Sequence, residues 1–136
     1  MIDRVRVLHE DRWGAVIDRM TDGYLEIRWF DATSQMSVED FQGWLTRFAE
    51  EVGANRRGGV LVDATRFRMP PENMDAAWRD EHIIPRYNAA GVRGFAFLMP
   101  DGMPAIGTPP ASEGPAEFPT AYFGRREDAL AWLRSA

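Results

Sequence analysis

Asp63 and Thr65 are the best-placed polar groups of this chain, because they close the run Gly58-Gly59-Val60-Leu61-Val62-Asp63-Ala64-Thr65. A short apolar run behind paired glycines reads as a strand buried on both faces, the centre of a sheet covered by helices. Ligand sites of α/β folds gather outside the carboxyl ends of such strands, where Asp63 and Thr65 emerge. Asp63 would either orient a ligand there or cap the turn from Thr65 to Arg68, and capping is the commoner use of an aspartate in that place. Glu81 and His82 invite a general-base reading, since an interrupted helix beside them frees backbone groups that a substrate could use. Adjacent helical residues project about 100° apart, so one pocket does not easily take both. The plainer expectation is a solvent-facing acid beside a half-buried histidine, with Trp78 in the core. Arg66-Phe67-Arg68, if extended, puts two forked guanidinium groups on one face, suited to an anionic ligand or simply to solvent.

The remaining inventory excludes more than it offers. The absence of cysteine removes thiol nucleophiles, disulfides and thiolate metal sites. All sixteen basic residues are arginine, which removes Schiff-base and P-loop lysines as well. The simplest source of that bias is a GC-rich genome. His9 and His82 stand far apart, and His82 with Glu81, Asp80 or Glu72 lacks a ligand spacing such as His-x-x-x-His, so no metal is expected. The four serines lie outside any Gly-x-Ser-x-Gly elbow. A net charge of −5 without a basic stripe disfavours nucleic acid. No apolar run approaches the roughly 20 residues of a membrane span, and the N-terminus lacks the apolar stretch of a secretory signal. The expectation is a single domain over 1–136, cytoplasmic by default and without a cofactor.

These groups need elements to position them. Trp13 to Met20 and Tyr24 to Phe30 read as a hairpin around Thr21-Asp22-Gly23, with Leu25, Ile27 and Trp29 on one face and Tyr24, Glu26 and Arg28 on the other. Arg4 to His9 is either an extra edge strand or the start of that hairpin. Ser37 can cap a helix whose apolar stripe runs from Val38 through Phe41, Trp44, Leu45, Phe48 and Ala49 to Val52, with Gly53 as its stop. After the central strand, a second helix begins near Pro70-Pro71-Glu72 and runs toward Tyr87, with a kink or break near Ile84 imposed by Pro85. Val92 to Met99 and Ala121 to Phe123 read as further strands. A last helix over Arg125 to Arg134 buries Ala129, Leu130 and Leu133. Between them, Pro100 to Pro119 holds six of the nine prolines, so no regular helix is expected; a lid, a binding loop and a passive excursion all remain open.

The sequence resembles the bacterial STAS-like domains (sulfate transporter and anti-sigma antagonist) in their broad branch of small proteins. The resemblance rests on Tyr24-Leu25-Glu26-Ile27-Arg28-Trp29 and Ser37-Val38-Glu39-Asp40-Phe41, then on Val60-Leu61-Val62-Asp63 and Ile84-Pro85-Arg86 before Ala90-Gly91. It continues in Tyr122-Phe123 ahead of Glu127 to Leu133. It covers most of 12–135 except Pro100 to Pro119, and its order and spacing carry it rather than any one motif. It implies a mixed sheet flanked by helices and a role as a protein-binding switch or small-ligand module. Phospho-regulated members carry a serine or threonine at the start of the helix after the central strand. Pro71, Glu72 and Asn73 stand there in this chain, so phosphorylation at that place does not carry over.

The combined expectation is an α/β domain with a mixed, roughly five-stranded sheet. It would act as a non-enzymatic binding or regulatory module through a protein partner, or as a homodimer formed at an exposed edge of the N-terminal hairpin. The alternative is a small-ligand carrier or cryptic enzyme holding an apolar or anionic ligand under the loop 100–119, in a pocket lined by Asp63, Trp78, His82 and Met99. Asp63, Thr65, Glu72, Trp78 and His82 are the candidate ligand-binding residues.

Overall fold

The computed structural model describes residues 5–100, 106–107 and 109–136. Among these residues, seven strands form one mixed sheet in the order β1-β2-β3-β4-β5-β7-β6. They are β1 (Val5–Glu10), β2 (Gly14–Arg19), β3 (Tyr24–Trp29), β4 (Gly59–Asp63), β5 (Gly94–Leu98), β6 (Ala111–Ser112) and β7 (Pro119–Phe123). β3, β4, β5 and β7 run parallel, while β1 and β2 at one margin and β6 at the other pair antiparallel. The sheet therefore exceeds the expected five strands. β1 keeps Val5 and Val7 exposed at the edge, which blurs its pattern, and the two residues of β6 are too few to show a period.

The described residues form four α-helices around this sheet: α1 (Val38–Asn55), α2 (Ala76–His82), α3 (Ile84–Ala89) and α4 (Arg126–Ser135). α1 starts in a capping box. Ser37 Oγ accepts from the Asp40 N–H at 3.0 Å and Asp40 Oδ2 accepts from the Ser37 N–H at 3.3 Å. The helix does not stop at Gly53. It continues to Asn55 and ends at Arg56, which takes the left-handed conformation (φ 46°) and donates its N–H to Val52 O. Pro85 lies in the first turn of α3, so the break between α2 and α3 falls at Ile83, one residue before the expected place.

The two sheet faces carry separate cores. On the first face, Phe41, Trp44, Phe48 and Val52 of α1 and Ile84 and Tyr87 of α3 meet Val16, Ile27, Val62 and Phe95 of the strands. The second face takes α4, which lies over β4, β5 and β7 and packs Ala129 against Tyr24, Leu61, Ala96 and Leu98. Leu130 and Leu133 are only partly buried there, because α4 sits outermost with one flank in solvent. None of the helices among the described residues is long and apolar enough to cross a membrane.

The end of the proline-rich segment is packed cover: Ala116 and Phe118 are buried, while residues 109–115 are exposed. Phe118 is 1 % exposed and lies between Tyr87 and Phe95, 5.9 Å from the latter ring. Asn88 of α3 fastens the segment, donating to Pro115 O at 3.1 Å and accepting from the Glu117 N–H at 2.9 Å. Residues 101–105 and 108 of the expected loop lie outside the described residues.

Candidate functional site

β3 alternates, so Tyr24, Glu26 and Arg28 share the second face of the sheet while Leu25, Ile27 and Trp29 fill the first core. Hairpin pairing sets Arg19 opposite Tyr24 and Ile17 opposite Glu26, and the parallel ladder sets Asp63 beside Arg28. Five charged groups thereby meet at one place. The Glu26 side chain is fully buried. It accepts from Arg19 Nε at 3.2 Å, from Arg28 Nε and Nη2 at 3.2 and 2.9 Å, and from Arg126 Nη1 and Nη2 at 3.0 and 3.2 Å. Arg126, in the first turn of α4, also donates Nη2 to Asp63 Oδ2 at 2.9 Å. Burial works against the Arg126 charge, but the bonds and charge of Glu26, with Asp63 behind it, hold its pKa above the ordinary arginine value.

Asp63 does two jobs at once. Its Oδ2 takes Arg126, while Oδ1 accepts from the Thr65 N–H at 3.1 Å and the Thr65 hydroxyl at 2.7 Å. The expected turn cap is formed, and the same carboxylate joins the arginine cluster. Beyond it the chain is pinned in steps. Phe67 enters the aromatic group of Trp29 and Phe41, the Arg68 N–H donates to Thr33 Oγ1 at 2.8 Å, and Met69 is buried. Arg66 and Arg68 both face Asp31, at 3.1 and 3.7 Å.

The other sequence candidates lie elsewhere. Glu72 is exposed in a short 3-10 turn, Pro71–Asn73, that leads into α2. Trp78 and His82, one turn apart on α2, place their rings 5.4 Å apart on the first-face side. Trp78 is partly buried against the core, and His82 is exposed rather than half-buried. Asp63 and Thr65 thus form one group, Trp78 and His82 another on the first-face side, and Glu72 stands by itself in the turn before α2. The structure does not bring together Asp63, Trp78, His82 and Met99 as the expected pocket would, since Asp63 joins the arginine cluster on the second face while Trp78 and Met99 pack against the first-face core.

Several charged groups escaped the sequence reading. Asp18, fully buried on the first face, accepts from Arg57 Nε and Nη2, both at 2.8 Å, and from Arg6 at 3.4 Å. The Arg57 hydrogen bond, acting against burial and aided by both guanidinium charges, holds its carboxyl below the ordinary aspartate value. Asp11 accepts from Trp44 Nε1 at 3.1 Å and contacts His9 Nε2 at 2.9 Å; burial pushes its pKa up, but these bonds and those from the Trp13 and Gly14 N–H groups outweigh it and hold the carboxyl below the ordinary aspartate value. The visible signal for Glu26 was an acid flanked by Leu25 and Ile27, two residues before an arginine on the same face. Arg126 gave none, since it lies 100 residues away.

A cleft of about 200 Å³ opens at the amino ends of the parallel strands, lined by Gly23, Gly58, Gly94, Arg57, Arg93 and Arg134 among others. Among the described residues no three His, Asp or Glu side chains converge as metal ligands would. A family model described as SpoIIAA-like matches residues 25–134 of the chain. No curated protein and no solved structure matches it.

Proposed function

The chain belongs to the SpoIIAA-like family, and from that premise we propose that it is a regulatory module acting by binding another protein. One observation carries the reading: α2 contains no buried residue. A seven-residue helix gains little from propensity alone, because the first turn is costly to nucleate. The surface around it offers Met74, 44 % exposed just before the helix, the exposed His82 ring beside the partly buried Trp78, and Glu72 in the preceding turn. An aromatic and a methionine ringed by polar groups make a common kind of protein contact. Asp63 and Thr65 support this surface by fixing the segment that leads to it, rather than by touching a partner.

By the family resemblance, the turn Pro71–Asn73 corresponds to the place where phospho-regulated STAS-like domains carry a hydroxyl residue, and it offers none. The switch we propose is therefore occupancy by the partner and not phosphorylation at that turn. Protein purified from its own host and sprayed under native conditions should carry a second polypeptide in fixed ratio. Met74→Glu together with His82→Glu should release that polypeptide without lowering the melting temperature. A small molecule in its place, or a partner retained by the double variant, would overturn the reading.

A further inference from the structure

We propose that Arg19, Arg28 and Arg126 form a receptor for an oxyanion on the part of the second sheet face that α4 leaves uncovered. The helix lies chiefly over β4, β5 and β7 and meets β3 at Tyr24 and, through Arg126, at Glu26. Ala15 and Ile17 of β2 are buried although neither belongs to a packed core cluster. Ala15 pairs with Arg28 and Ile17 with Glu26, and Arg19 follows Ile17 two residues on along β2, so all share this face.

Three observations point to a ligand. The first is charge: three guanidinium groups face two carboxylates, Glu26 and Asp63, which leaves one positive charge in surplus on a chain of net charge −5. Like charges drawn to one carboxylate repel one another, and a second anion on their outer side relieves that repulsion. The second is unused capacity. Glu26 takes the inner edges of all three groups, yet among the described residues Arg19 Nη1 and Nη2 and Arg28 Nη1 have no partner. The third is access combined with rigidity. The three side chains are 24, 41 and 31 % exposed, while the buried carboxylate fixes their planes. A guanidinium fork held in place loses little rotamer freedom on binding, and its geometry suits a phosphate or a carboxylate. The ligand is an oxyanion of that chemistry, either free or borne by an acidic protein segment.

Inorganic phosphate is the probe, titrated into labelled protein at constant ionic strength with chloride as reference. The readout is the arginine Nε–H and backbone amide resonances. Saturable shifts confined to β2, β3 and the first turn of α4 are expected. Arg19→Gln, which gives up one bond to Glu26, should weaken the apparent affinity about tenfold, and Arg93→Gln in the cleft at the other strand ends should leave it unchanged. Glu26→Gln should strengthen binding, since it removes the anion already in place; a merely structural cluster predicts no such gain. Where Glu26→Gln fails to fold, Arg19→Gln decides. A glutamate-rich peptide that competes with phosphate and binds more tightly assigns the site to a protein-borne carboxylate, and phosphate binding alone assigns it to a free ion. Shifts that do not saturate, that chloride reproduces, or that survive Arg19→Gln would overturn the proposal. That failure would leave the α2 docking surface untouched, because its test reads a different face.

Discussion

At the scale of single residues, the molecule is governed by carboxylates taken out of water and held by arginine. A buried carboxylate with one partner removed keeps its desolvation cost and loses its compensation. Arg126→Ala strips two of the five hydrogen bonds from Glu26 and the one arginine bond from Asp63. It should cost about 2–3 kcal/mol, less than a full loss because Arg19 and Arg28 remain; urea denaturation would measure it. Asp18 makes a prediction about pH. Its folded pKa is depressed by the Arg57 bond, so as pH falls the unfolded chain takes up its proton first. The stabilisation is present above the unfolded value of about 4 and is lost as pH drops through the depressed folded value. Unfolding midpoints between about pH 6 and pH 2 should therefore fall on acidification, and Arg57→Gln should flatten the Asp18 part of that fall.

At the scale of elements, α1 shows how local rules and tertiary context divide the work. Its start follows the Ser37 capping box, and Ser37→Ala should cost about 1 kcal/mol by thermal or chemical unfolding. Its end does not follow the glycine rule. Gly53 is exposed inside the helix, and a methyl group added there would meet nothing within 4 Å, so Gly53→Ala should raise stability by about 0.5–1 kcal/mol. The helix outruns Gly53 because Asn55 bonds back to Glu51 O at 2.8 Å and Arg56 accepts the left-handed turn instead. α2 and α3 show the opposite balance, for Pro85 alone dictates their separation to within a residue. An element without buried residues, such as α2, follows its cap and its proline, whereas α1 is extended by what its last turn can still bond.

At the scale of the whole molecule, the proline-rich segment is the test of architecture. If its end at Ala116 and Phe118 is core cover, Phe118→Ala should cost about 3–4 kcal/mol, as the loss of a fully buried aromatic does, while Pro109→Ala in the exposed stretch should cost little. A hinged lid would instead tolerate the Phe118 change. The fold was legible from the chain because periodicity is local. The alternation in Tyr24 to Trp29, the helical stripe from Phe41 to Val52 and the apolar run at Val60 to Val62 each state which face is buried, and their order gave the mixed sheet and the family resemblance. The strand β6 was not legible, since two residues carry no period. The site was legible only in part. Asp63 and Thr65 announced themselves by ending a buried strand, and their mutual cap needed nothing but neighbours in sequence. Glu26 read as one more polar residue on an alternating strand, and Arg126 as one more surface arginine. Only the closing of α4 over the sheet brings them together across 100 residues, and only burial turns their pairing into a fixed charge cluster. Hydrophobic pattern is written along the chain; which charges meet in the folded molecule is decided by the packing that the pattern produces.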